Sequence, residues 1–286
     1  MIGERIALFC EIELLRSKAV PYVSKGRKRI YYETRGQGEP LLLLMGWQGN
    51  RTWWPESLLS RLEKHFLLIL MDHRGTGLSK DPLGFYNIKS LAKDATLVLD
   101  DFGLSSSAVL GVSMGGMIAQ AMAVHFPDRL KKLVITSSSA KVGLIRGLNK
   151  EQQQAWLTYL RKRDRGLQEF IMDLLFSTDC KGADNHLIKN FISRTRQQRT
   201  PARTIIKQFM AVQLFDSRKK LKNFHKPTLV VTGDNDMIIG SHHSEALARF
   251  MPNATLHLIR GGAHAMLDAK AEELGKVYID FLINHV

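Results

Sequence analysis

Cysteine is nearly missing from this sequence: Cys10 and Cys180 are the only two in 286 residues. Two thiols so far apart in the chain provide neither a disulfide framework nor the paired spacing of a zinc site, and a reduced, cytoplasmic setting is expected. Long apolar runs are missing as well. Stretches such as Leu41 to Met45, with Trp47 just beyond, and Leu67 to Met71 are far too short to span a bilayer and read as strands buried on both faces. Near the N-terminus the apolar residues from Ile6 to Leu15 are interrupted by Glu11 and Glu13. A secretory leader would not tolerate them, so residues 1–18 are read as an extension with no assigned role. Internal repeats and low-complexity linkers are not found, which excludes repeat architectures. What remains, 44% hydrophobic and 24% charged residues, is the composition of a globular chain with one large core and room for an inserted subdomain.

The charge is uneven. Of the formal net +14, the stretch 141–225 supplies +11, from 18 Lys/Arg against 7 Asp/Glu. Its clusters are Arg161-Lys162-Arg163, the trio Arg194, Arg196 and Arg199, and Arg218-Lys219-Lys220. They read first as a solvated outer face. Nucleic acid is disfavoured as a partner, since no stacking motif or recognition helix accompanies the charge.

Three regimes of hydrophobic periodicity follow one another. From about residue 19 to 140 short apolar runs alternate with helical spacing and glycine-containing turns, the pattern of strands joined by crossover helices in a mostly parallel sheet. Strands are predicted at Tyr22–Val23, Arg29–Thr34, Leu41–Met45, Leu67–Met71, Ala108–Gly111 and Leu133–Thr136. Residues 141–225 switch to helical spacing, as in Leu167, Phe170, Ile171, Leu174 and Leu175, and about four helices are expected, with Pro201 at one boundary. Strand rhythm resumes from 226 to 286, at Thr228–Thr232 and Ala254–Ile259, before a terminal helix from Ala271 to Asn284.

The chemistry is concentrated in the pentapeptide Gly111-Val112-Ser113-Met114-Gly115, between the apolar strand ending at Leu110 and the helical pattern Met117–Val124. A serine held on a sharp strand-to-helix turn needs small residues two before and two after it, so that the two backbones can pass closely. A serine hydroxyl is a poor nucleophile at neutral pH and needs an imidazole to take its proton, with a carboxylate to orient that imidazole. Downstream, Asp236 follows the strand Thr228–Thr232, and His264 lies in the turn Gly261-Gly262-Ala263-His264. Ser113, Asp236 and His264 are therefore the predicted nucleophile, acid and base, with Asp234 a second candidate for the acid.

These residues, in the order Ser, Asp, His, resemble the α/β-hydrolase superfamily from about residue 20 to the C-terminus. Asp72-His73-Arg74-Gly75-Thr76-Gly77-Leu78-Ser79 is similar to that family's Asp-x-Arg-Gly-x-Gly-x-Ser turn and is read as structural. The resemblance implies an α/β fold with a mostly parallel central sheet flanked by helices, and a helical cap inserted at 141–225 between core segments 19–140 and 226–286. It also implies an oxyanion hole made by the backbone N–H groups of Trp47 and Met114, each such donor being worth roughly 3 kcal/mol in the transition state. Two departures stand out: Met45-Gly46 where His-Gly is common, and Gly240 where a proline often follows the acid loop.

On this analogy the reaction is hydrolysis of a carboxylic ester through an acyl-enzyme, without cofactor or metal. The expected substrate carries a medium-chain acyl group, free or as a carrier-bound methyl ester. The basic cap would then be a surface for an acidic acyl carrier protein or coenzyme A thioester. Alternatives on the same triad are a thioesterase, a C–C bond hydrolase and a cofactor-free haloperoxidase-like enzyme. Another is a ligand-binding receptor that keeps the fold without turnover. Dehalogenases and epoxide hydrolases carry aspartate where Ser113 stands. Trp47, Trp53, Trp54, Met114 and Met117 are read as either pocket wall or packing. His65, His125, His225, His242, His243 and His257 have no motif around them and are read as structural.

Overall fold

The computed structural model describes residues 22–81, 84–142, 174–176 and 186–284. One eight-stranded sheet forms the centre, in the order β1-β2-β4-β3-β5-β6-β7-β8. Its strands are β1 (Tyr22–Lys25), β2 (Lys28–Arg35), β3 (Glu39–Leu44), β4 (Phe66–Met71), β5 (Ser107–Val112), β6 (Leu130–Thr136), β7 (Thr228–Gly233) and β8 (Ala254–Ile259). β1 pairs antiparallel with β2, and β2 with β4. From β4 onward every pairing is parallel. All eight predicted strands are present, each within three residues of its predicted bounds.

Parallel pairing forces each connection to cross a face of the sheet, and the strands show the consequence. In β3, Leu42 and Leu44 belong to one buried cluster and Leu41 and Leu43 to the other; in β4, Leu67, Ile69 and Met71 face one way and Leu68 and Leu70 the other. Helices α1 (Glu56–Leu62) and α8 (Ala271–Asn284) cover the second face, and α2 (Ile88–Asp101) and α3 (Met114–His125) the first. Every residue of α3 from Met114 to Ala123 is buried, which explains why its sequence has no polar stripe.

Between β6 and β7 the chain forms α4 (His186–Gln197) and α5 (Ala202–Gln213), and after β7 come α6 (Ser241–Arg249) and the short α7 (Met266–Ala269). The predicted boundary at Pro201 is the residue preceding α5. The helically spaced apolar residues Leu187, Ile188, Phe191 and Ile192 lie on α4, and Ile205, Ile206, Phe209 and Met210 on α5. Of the predicted helical pattern Leu167–Leu175, only Leu174 and Leu175 are described, and they are helical; Leu167 to Ile171, the cluster Arg161-Lys162-Arg163, Cys10, Cys180 and the extension 1–18 lie outside the described residues. Among the described residues no helix is long and apolar enough to cross a membrane.

Candidate active site

The site lies where open parallel sheets bind ligands, at the carboxyl ends of the central strands. β5 runs directly into α3 with a single residue, Ser113, at the turn, and its backbone is held at φ 55° and ψ −118°. A non-glycine residue at positive φ costs energy and persists only where its surroundings impose it. Here the imposition is visible: a Cβ on Gly111 would strike the carbonyl of Gly115, and one on Gly115 would strike the carbonyl of Leu44. The two glycines let α3 start against β5 and the end of β3, which lifts the Ser113 side chain out of the sheet. Gly46 follows the end of β3, and a Cβ there would sit 3.2 Å from that of Ser113.

The other two predicted residues arrive from the ends of β7 and β8. Gly233 and Gly262 press together so closely that a Cβ on Gly233 would overlap the Gly262 carbonyl. The Asn235 N–H donates to that carbonyl at 2.9 Å. This contact brings two loops into register, and across it His264 Nδ1 lies 2.9 and 3.0 Å from the Asp236 oxygens while its Nε2 lies 3.2 Å from Ser113 Oγ. With the Nδ1 proton donated to the carboxylate, Nε2 is free to accept from the serine hydroxyl. Asp236 is 4% exposed. Burial alone would raise its carboxyl, but its electrostatic attraction to and hydrogen bond with His264, with the N–H groups of Ile239 and Ile238, hold it below the usual carboxylate range.

Asp234, the second candidate, faces elsewhere and accepts the Gly261 N–H at 2.7 Å. It tethers the loop that carries His264, so the two aspartates divide orientation of the loop from orientation of the ring. The departure at Gly240 also has a physical reason. Its φ is 78°, a value the proline ring excludes.

The turn after β3 carries Trp47. It is closed by Gly49 N–H to the Gly46 carbonyl at 3.0 Å, and Gln48 sits at φ 65°. Met114 opens α3, so its N–H has no partner within the helix. The motif read as structural braces this region from behind. Asp72, fully buried, accepts from the Arg51 N–H and guanidinium and from the Leu78 N–H, each at 2.8 Å. His73 is buried, with Nε2 2.8 Å from the Met45 carbonyl, and burial pulls its pKa down to about 4. It therefore donates as a neutral ring.

The predicted pocket aromatics separate. Trp54 is in the core, whereas Trp53 packs edge-on against Phe191 at 5.8 Å and Trp47 lies 5.9 Å from Phe209. Met114 and Met117 are 1% exposed and fill the core. Two residues beside the site had no sequence signal: Arg51, which bridges Asp72 and Glu33, and Gln208, buried in α5 with Thr204 and Ala211. Among the described residues no group of three His, Cys, Asp or Glu is placed to hold a metal ion.

Comparison with known proteins identifies the family of this fold. The profile of the α/β-hydrolase fold family matches residues 39–271. A protein of Azorhizobium caulinodans that bears the name carbamate hydrolase RutD is 26% identical over 274 residues, 92% of this chain and 98% of that protein. A 3-oxoadipate enol-lactonase of Acinetobacter baylyi is 27% identical over 233 residues, 80% of this chain and 84% of its own. The crystal structure of the enol-lactonase from Burkholderia xenovorans superposes with a TM-score of 0.78 at 20% identity, covering 92% of this chain and 99% of that one. The chain belongs to the α/β-hydrolase fold family, as a hydrolase.

Proposed function

We propose that the protein is a serine esterase in which Ser113 is the nucleophile, His264 the base and Asp236 the acid that orients it. One observation carries the reading: the continuous contact from Asp236 through His264 to Ser113 Oγ, with Ser113 on a strained elbow. Ser113 Oγ attacks the ester carbonyl while His264 takes its proton and passes it to the leaving alcohol; water then repeats the sequence on the acyl-enzyme and releases the acid. The N–H groups of Trp47 and Met114 hold the oxyanion in both halves. The segment 141–225 acts as the cap over this centre.

The preferred substrate is an ester with an apolar acyl group of medium length. Its support is the apolar cluster of Phe176, Phe191 and Ala265 with Trp53, which includes the chain neighbour of His264, Ala265, and is built from both the core and the proposed cap. A relative named as a lactonase acts, by that name, on a cyclic ester, which favours an ester over a C–C bond. A free ester is favoured over a carrier-bound one because part of the basic segment is already neutralised. Arg194 pairs with Asp268, Lys207 with Asp81 and Arg218 with Asp216. A cytoplasmic location goes with this reading.

Hydrolysis of p-nitrophenyl esters of increasing acyl length, by the intact chain and by Ser113→Ala, tests it. Turnover with an optimum at intermediate length, reduced roughly 10⁶-fold by the substitution, is expected. Folded protein without activity at any length would remove the general-esterase reading.

A further inference from the structure

The turn that carries the Trp47 N–H is held by the β6–β7 connection at three points. The Gln48 N–H donates to Gln208 Oε1 at 2.9 Å, the Gln48 carbonyl accepts from Thr200 Oγ1 at 2.7 Å, and the Trp47 indole N–H donates to the Ile205 carbonyl at 3.0 Å. Thr200 lies just before α5, and Ile205 and Gln208 lie within it. The peptides on both sides of Gln48, and the side chain of Trp47, are thus gripped by one short segment that contributes nothing to the sheet.

The grip falls on a residue that needs one. Gln48 is at φ 65°, where a side chain other than glycine's is disfavoured, and the adjoining 46–49 turn is closed by one backbone hydrogen bond. Rotation at Gln48 would carry the Trp47–Gln48 peptide with it and re-aim the neighbouring Gly46–Trp47 peptide, whose N–H is the proposed oxyanion donor. Gln208 is 0% exposed, and its Nε2 is buried without a partner among the described residues. An amide buried with its donor half unmatched is costly unless its other half is needed. Here the carbonyl half holds Gln48.

We infer that Gln208 is a positioning residue for the oxyanion hole, and that the helix carrying it assembles the catalytic centre as well as covering it. The inference rests on the esterase reading for the role of the Trp47 N–H. Without the Gln208 acceptor the turn samples other orientations and the donor is aimed at the oxyanion for only part of the time. Ground-state binding, which does not use that donor, is unaffected, so the loss falls on kcat and not on KM.

The test compares Gln208→Leu, which keeps the volume and removes the acceptor, with Gln208→Glu, which keeps an acceptor toward the Gln48 N–H. Two rates are read on each: turnover of a p-nitrophenyl ester, and phosphonylation of Ser113 by a small p-nitrophenyl alkylphosphonate, which needs the same donors whatever the natural substrate. The expected result for Gln208→Leu is a fall of about tenfold in both kcat and labelling rate, smaller than the roughly 100-fold that a fixed 1 Å misplacement can cost because the donor is misaimed for only part of the time. KM and Tm should be unchanged, and Gln208→Glu should recover most of the loss. Unchanged rates in Gln208→Leu, or a rise in KM alone, would overturn the inference, as would a loss that Gln208→Glu does not recover. A chain that labels at Ser113 but turns over no ester would remove the esterase reading only, and the labelling ratio would still decide the role of Gln208.

Discussion

At the elbow, contact is backbone against backbone: Gly111 on Gly115, Gly115 on Leu44, and across the gap Gly233 on Gly262. Where α5 meets the turn after β3, contact is made by side chains: Gln208, Thr200 and the Trp47 indole. The two regions meet at one centre by different means. A backbone fit leaves no room for a single added carbon and ties Ser113, the proposed nucleophile, to the packing of the sheet. A side-chain fit can be changed atom by atom without disturbing the strands, so the core side of the site should be intolerant and the α5 side tunable.

The largest effect expected on the core side is on catalysis. Asp236→Asn should lower kcat by about 10⁴-fold, because an amide stabilises the wrong imidazole tautomer. Asp234→Asn should cost less than about tenfold, since an amide oxygen can still accept the Gly261 N–H. Steady-state kinetics on the two variants decide this, and equal losses would reverse the assignment. Next is stability. Gly115→Ala drives a methyl into the Leu44 carbonyl, which cannot swing away as a side chain would, and a loss of about 3 kcal/mol is expected by urea unfolding. If Gly115→Ala unfolded no more easily than Gln208→Leu, the contrast between backbone fit and side-chain fit would collapse.

A smaller effect comes from His73, which joins the end of β3 to the motif behind it. Burial lowers its pKa from 6.5 to about 4, so the folded chain resists a proton that the unfolded chain accepts. Its contribution is present above pH 6.5 and is lost as the pH falls from 6.5 toward 4, by up to roughly 3 kcal/mol. Unfolding measured at steps through that window should show a shallower decline for His73→Gln than for the unaltered chain. Parallel slopes would mean that other groups carry the acid sensitivity.

Legibility in the sequence followed the same division. The terminal helix Ala271–Asn284 was read with its observed bounds because its apolar residues recur at helical spacing against one face. The central strands such as β3 and β4 are legible within three residues for the complementary reason, as uninterrupted apolar runs with helices on both sides. Ser113 and His264 were legible because their turns carry glycines that the close approach of two chains demands. The sequence favours Asp236 as the acid but leaves Asp234, two residues away, as a second candidate; in the fold Asp236 faces the His264 ring and Asp234 accepts the Gly261 N–H. Gln208 was illegible, since one polar residue in an amphipathic helix usually marks its solvated side.

The sequence by itself determined the parallel sheet and the elbow, together with the order in which Ser113, Asp236 and His264 follow one another. These follow from local causes: apolar runs long enough for strands and glycines where no Cβ fits. Only the tertiary structure decided which aspartate meets the imidazole and which helix grips the turn after β3. Both depend on contacts between residues 28 or more positions apart in the chain, and no local pattern records which distant group will satisfy a given buried N–H.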